Sequence, residues 1–108
     1  MKISVIIPAF NEEQYIEATI KAILQLGLAM EIIVVDDGSS DDTYILAKGA
    51  GIRAVKNLRN QGKGRSLGLG LKYAQGDIIA FLDADIGEKA AEIKKLLLPV
   101  MKGDADMA

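Results

Sequence analysis

Four short apolar runs punctuate the chain, and between them apolar residues recur at helical spacing. Ile3 to Ile7, with Ser4 its one polar member, is bounded by Pro8 and predicts a buried strand of parallel-sheet type. Asn11 stands where a helix N-cap belongs, followed by Glu12 and Glu13 in the first turn, where the helix dipole favours anions. Ile16, Ile20, Ile23 and Leu24 then share a helical face, and Gly27 is expected to end that helix. Glu31 to Val35 predicts a second strand, closed by Asp36-Asp37-Gly38-Ser39-Ser40. Ser39 and Asp42 have capping-box spacing, which predicts a short helix running to Gly49. Ile52 to Val55 is a weaker third strand. Asn60-Gln61-Gly62-Lys63-Gly64 reads as a flexible loop opening a helix that reaches Ala74 or Gln75. Ile78 to Leu82 is a fourth strand, ending at Asp83-Ala84-Asp85. A last helix is expected from about Glu88 to Met101, kinked or shortened by Pro99.

Strands alternating with helices imply right-handed crossovers and a parallel sheet covered on both faces. The expected fold is α/β: half of a doubly wound parallel sheet, strand order 3-2-1-4, in one Rossmann-like domain over residues 1–108. Ligands of such sheets sit outside the carboxyl ends of the strands, where the winding reverses. Here that point lies between strands 1 and 4.

Composition narrows the chemistry. Half of the 108 residues are apolar and 26% are charged, an ordinary globular balance. The absence of cysteine excludes disulfides, thiolate nucleophiles and zinc–thiolate sites. The absence of histidine excludes Ser-His-Asp triads, imidazole-ligated metals and the usual general base. A net charge of −2 points to neither a nucleic-acid nor a membrane partner. No apolar run approaches the ~18–20 residues of a membrane span, and Pro8 interrupts the start before any signal-peptide pattern develops. The expected location is the cytoplasm, at the membrane if a further part of a longer parent protein attaches there.

The charges are unevenly spread. Between Asp42 and Asp77 the only ionic side chains are basic: Lys48, Arg53, Lys56, Arg59, Lys63, Arg65 and Lys72. The acids gather in Glu12-Glu13, Asp36-Asp37, Asp41-Asp42 and Asp83/Asp85. A single acid after a strand is commonly a helix cap, and a charge run is commonly a solvated face. Two paired clusters on one sheet edge are a different matter, because nearby carboxylates repel unless something cationic neutralises them. With oxygen donors only, the cation is Mg²⁺ or Mn²⁺, which bridges one or two carboxylates to substrate phosphates. Lys63 and the amides of Gly62 and Gly64 are expected near the same edge, at a helix N-terminus suited to anions.

Four segments together resemble the family 2 glycosyltransferases of GT-A fold. They are Val5-Ile6-Ile7-Pro8-Ala9-Phe10-Asn11-Glu12, Val34-Val35-Asp36-Asp37-Gly38-Ser39, Asn60-Gln61-Gly62-Lys63-Gly64 and Phe81-Leu82-Asp83-Ala84-Asp85. The resemblance spans essentially the whole chain in order and spacing. It implies an inverting transfer of a sugar from a nucleotide diphosphate donor, a UDP- or GDP-sugar, to an acceptor hydroxyl or phosphate. By the same resemblance Pro8, Ala9 and Phe10 border the base and ribose, Asp37 accepts a hydrogen bond from the base, and Lys63 lies near the diphosphate. Asp83, Ala84 and Asp85 form the D-x-D element, in which Asp85 is the direct metal ligand and Asp83 stands closer to ribose or metal-bound water. Asp36 is assigned to loop geometry and Glu12 to capping or a supporting contact. Members of the family are longer, and their second half supplies the acceptor pocket and the general base, so no catalytic residue is assigned here.

Other readings fit less well. A phosphorylatable receiver domain needs its acid pair after the first strand, and a dinucleotide-binding domain needs G-x-G-x-x-G there. A non-catalytic fragment that binds nucleotide weakly, or only self-associates, is the alternative from a different class. Strand 4, left without an outer neighbour, is an apolar edge, which predicts a homo-oligomer joined there. Gly68 and Gly70 are expected to let their helix pack closely on the sheet.

Overall fold

The computed structural model describes residues 2–27, 30–92 and 100–101. Five strands form one sheet: β1 (Ile3–Ala9), β2 (Met30–Asp37), β3 (Arg53–Asn57), β4 (Ile78–Phe81) and β5 (Val100–Met101). Their order is β3-β2-β1-β4-β5. The first four pair in parallel, as the alternation of strands and helices predicts, and β5 runs antiparallel to β4.

The β-branched runs occupy the centre, where both faces of a strand are covered. On one face Val5, Ile7, Ile32 and Val34 pack with Ile16, Ile20 and Ile23 of helix α1 (Ile16–Leu24) and with Ala47 of α2 (Thr43–Gly49). On the other, Ile6, Ile33, Val35 and Ile79 lie under Leu67 and Leu69 of α3 (Lys63–Tyr73). Gly70 permits that second contact, because a Cβ there would sit 2.5 Å from Ile6 Cγ2. Gly68 has open space around it, so the packing reason holds for Gly70 alone. No helix among the described residues is long and apolar enough to cross a membrane.

Several boundaries depart from expectation. Asn11 caps no helix: it adopts φ 53°, and its side-chain oxygen accepts the Ser40 N–H at 2.9 Å. Its side chain is thus committed to the neighbouring loop, a turn carries the chain from Glu12 to Tyr15, and α1 starts at Ile16. Ser39 does not complete a capping box either, since its hydroxyl donates to Asp36. Helix α2 begins at Thr43, whose N–H donates to Asp41 Oδ1 at 3.0 Å. The third strand lies slightly later than its apolar residues suggest, at Arg53–Asn57 in register with Ile33–Asp37.

The expected final helix, Glu88 to Met101, departs from expectation at its two described ends, and residues 93–99 between them lie outside the described residues. Ala84–Glu92 is a 3₁₀ segment broken at Gly87, and Val100–Met101 is strand. Pro99 and the terminal residues 102–108 lie outside the described residues. The open edge expected at β4 is corrected as well: Ile78 pairs with Met101 and Ile79 with Val100. That pairing removes the exposed edge over those two residues, and with it the reason to expect a partner chain there.

Candidate functional site

The parallel register brings the carboxyl ends of β1, β2 and β4 to one edge. Ala9 pairs with Asp36, and Ile6 pairs with Phe81 just before the chain turns out at Leu82. A cavity of about 480 Å³ opens at this edge. Pro8, Ala9, Phe10, Glu12, Asp37, Lys63, Asp83, Ala84 and Asp85 all line it. Every site residue expected from the sequence therefore meets in one place. Asn60, Gly62 and Ser66 complete the lining.

Asp37 ends β2 and is buried. Its Oδ1 accepts the Gln61 N–H at 2.8 Å and the Asn57 side-chain amide at 3.0 Å, while Oδ2 accepts the Gly62 N–H at 2.9 Å. Burial pushes this carboxyl up, but those donors outweigh it and hold it below the ordinary aspartate value. The Ser66 hydroxyl, buried beside it, adds to the same effect while making no full hydrogen bond of its own. Asp37 thus fastens the loop that opens α3. Gly62 takes φ 96° at that turn, a conformation glycine adopts without steric cost.

Asp36, one residue earlier, points to the opposite face. One of its oxygens accepts the Ser39 hydroxyl, and Ser39 in turn accepts the Asn11 N–H at 2.8 Å. This chain ties the loop after β1 to the loop after β2, the role in loop geometry expected for Asp36. The Glu12 N–H adds to the tie by donating to Thr43 Oγ1 at 2.9 Å.

The carboxylates of the D-x-D segment are exposed and close to a third. Burial raises the Glu12 carboxyl, and the charges of Asp85, Asp41 and Asp83 raise it further. Opposing this, Lys63 Nζ lies 2.5 Å from Asp83 Oδ1. Asp83 is held in place by its neighbours: Leu82 N–H donates to the Ile6 carbonyl at 3.1 Å, and the buried Thr19 hydroxyl donates to the Ala84 carbonyl at 2.8 Å. Thr19 Oγ1 also accepts the Gly87 N–H at 2.9 Å, clamping both ends of the turn that carries Asp85.

Among the described residues no group of three or more acidic side chains is arranged to hold a metal ion. Asp83 and Asp85 nevertheless fit a hard cation. They are exposed oxygen donors in a cavity with surplus negative charge, and Mg²⁺ or Mn²⁺ commonly takes one or two carboxylates and completes its shell from phosphate and water.

A second cavity, of about 350 Å³, adjoins the first and is lined by Pro8, Lys63, Leu67, Phe81, Asp83 and Ile86 among others. Two contributors to this region, Thr19 and Ser66, escaped the sequence reading, and Asn60, within the expected loop, received no site role of its own. Thr19 is a lone polar residue on the apolar stripe of α1, a signal that a buried hydrogen bond awaits it. Ser66 lies one helical turn from Lys63. Asn60 gives no individual signal.

A sequence model of glycosyl transferase family 2 matches residues 4–108. The chain belongs to this family. Glucosyl-3-phosphoglycerate synthase from Mycobacterium tuberculosis is 43% identical over 93 residues, which cover 78% of this chain and 29% of that protein. An uncharacterized protein of Methanocaldococcus jannaschii is 39% identical over 110 residues, covering 99% of this chain and 45% of its own. The crystal structure of the M. tuberculosis synthase with Mn²⁺, UDP and phosphoglyceric acid superposes with a TM-score of 0.76 at 36% identity, over 89% of this chain and 39% of that one. The same synthase has also been solved with Mg²⁺ and UDP. This family 2 chain shares the GT-A fold of those structures and spans less than half the length of these relatives.

Proposed function

We propose that this chain is the donor-binding part of an inverting glycosyltransferase, taking a nucleotide diphosphate sugar together with Mg²⁺ or Mn²⁺. One observation carries the reading: Asp37, Lys63, Asp83 and Asp85, drawn from three segments far apart in sequence, line a single cavity at the carboxyl ends of the strands. UDP bound with Mn²⁺ in a relative of 36% identity supports the same assignment.

In this reading Pro8, Ala9 and Phe10 border the base and ribose, and Asp37 presents its remaining acceptor capacity to a base N–H. Lys63 meets the diphosphate, beside the N–H groups that open α3. Asp83 and Asp85 would hold the cation, which when bound neutralises charge on the departing diphosphate. Glu12 supports the site as a half-buried carboxyl facing the D-x-D segment. No side chain of this chain is assigned as general base. The names of relatives, a glucosyl-3-phosphoglycerate synthase and an undecaprenyl-phosphate 4-deoxy-4-formamido-L-arabinose transferase of Proteus mirabilis, favour a phosphorylated acceptor.

Calorimetry with UDP and GDP, with and without Mn²⁺, tests the reading. One nucleotide should bind in the presence of Mn²⁺ and lose affinity on addition of EDTA or in Asp85→Ala. Tight binding indifferent to both changes would overturn the metal assignment.

A further inference from the structure

We infer that the Lys63–Asp83 ion pair couples the two ligands of the cavity, so that the cation and the diphosphate each bind more tightly when the other is present. The inference rests on the reading just given and extends it to the way the site is filled.

Lys63 is the one cationic side chain among the described residues lining the cavity, and it faces four carboxyl groups, Glu12, Asp37, Asp83 and Asp85. Asp37 already accepts three N–H donors. Lys63 instead meets Asp83, where each side chain is more than half exposed, at 62% and 58%. A pair so exposed is weak, worth a factor of no more than about five in an equilibrium constant. It is strong enough to compete with a ligand and weak enough to be displaced by one.

The two partners differ in freedom. The main chain on either side of Asp83 is fixed, by the Leu82 N–H bonded to Ile6 and the Ala84 carbonyl bonded to the Thr19 hydroxyl, and the Asp83 side chain is short. Lys63 is exposed in the first turn of α3, and its long side chain can swing. A diphosphate arriving at the α3 N-terminus draws the ammonium away and leaves Asp83 bare for the cation. A cation arriving at Asp83 and Asp85 expels the ammonium toward the place where the diphosphate lies. Alone, either ligand must break the ion pair and leave the other partner's charge unmatched. Together they replace one ion pair with two. Because coupling between binding sites is reciprocal, the diphosphate must raise cation affinity by the same factor as the cation raises diphosphate affinity.

The position of the pair adds a second effect. Lys63, Asp83 and Pro8 line both cavities, so the ion pair stands at the boundary between them. Displacing Lys63 opens the polar cavity toward Leu67, Phe81 and Ile86.

The test measures Mn²⁺ binding by electron paramagnetic resonance, without and with UDP, alongside UDP calorimetry without and with Mn²⁺. Lys63→Met should bind Mn²⁺ alone about three- to fivefold tighter than wild type, and the enhancement by UDP should shrink by at least that factor. Lys63→Arg keeps the charge and should keep the coupling. Arg65→Met removes the same charge from an exposed position one half-turn along α3 and should behave as wild type. In an Asp83→Asn background Lys63→Met should no longer tighten Mn²⁺ binding. The inference is overturned if Lys63→Met leaves Mn²⁺ affinity unchanged, or if Arg65→Met raises it equally, while UDP still binds with Mn²⁺. If UDP binds wild type equally well without Mn²⁺, the donor–metal reading itself fails and takes the coupling with it.

Discussion

The Gly62 N–H donates to Asp37 Oδ2 at 2.9 Å, joining the end of β2 to the first turn of α3 across the floor of the cavity. With the bond from Gln61 N–H to Oδ1, it makes one buried carboxylate the anchor of the whole Asn60–Lys63 loop. Replacing Asp37 by Asn keeps the shape but sets an NH₂ group against an N–H donor. The expected cost is about 1.5–3 kcal/mol in urea unfolding at neutral pH. The folded carboxyl is held below its ordinary value, so its contribution is fully present at neutral pH and is lost as pH falls through that lower folded value. Wild type should therefore lose more stability than Asp37→Asn as the pH drops below the ordinary aspartate range. Parallel losses would show that the anchor is not carried by the charge.

Thr19 lies on α1, outside the cavity lining, and is expected to govern the site through the Ala84 carbonyl and Gly87 N–H that it holds. Thr19→Val preserves volume and leaves both backbone groups buried without a partner. Unfolding free energy should fall by roughly 1–3 kcal/mol. Titration of Mn²⁺ with UDP should weaken as Asp85 loses its fixed position, whereas UDP binding without metal should hardly change.

The glycines of α3 should respond in opposite directions. Gly68→Ala adds a methyl group in open space and gains helix propensity, so thermal unfolding should show up to about 1 kcal/mol of stabilisation. Gly70→Ala drives its Cβ into Ile6 Cγ2 and against Val35 Cγ2, and overpacking of this kind costs about 1–3 kcal/mol. A stabilised Gly70→Ala would mean that α3 can lift from the sheet.

Lys63→Ala separates charge recognition from shape. UDP affinity should drop by roughly 1.5–3 kcal/mol, the worth of a charge-assisted hydrogen bond. Uridine, which carries no phosphate, should be nearly unaffected. Equal losses for both would make Lys63 a structural residue of the loop.

The parts legible from sequence are those set by burial and period. The runs Ile3–Ile7, Glu31–Val35 and Ile78–Leu82 are apolar because both faces of a central parallel strand are covered, and they locate β1, β2 and β4 to within a residue or two. Once their order is known, the carboxyl-end rule places Asp37, Lys63, Asp83 and Asp85 together without further information. What escaped depends on side chains choosing between local partners. Asn11 and Ser39 both have cap-forming chemistry, and each bonds across to the other loop instead. The strand β5 is two residues long, too short for any periodicity to reveal, yet it closes the edge at Ile78 and Ile79. Thr19 is visible only as an oddity on an apolar stripe until its two partners are known.

The central position of β1 has a consequence for how the cavity comes into being. Its neighbours on the two sides are β2 and β4, and its pairing with β4 joins Ile3 to Ile78 across most of the chain. Parallel contacts so distant in sequence form only after a long loop has closed, which makes them slow. Pro8 and Asp83 cannot face one another before that closure. The cavity is therefore complete only once β4 has joined β1, and a nascent chain that has emerged only as far as α3 still lacks the Asp83, Ala84 and Asp85 part of its lining.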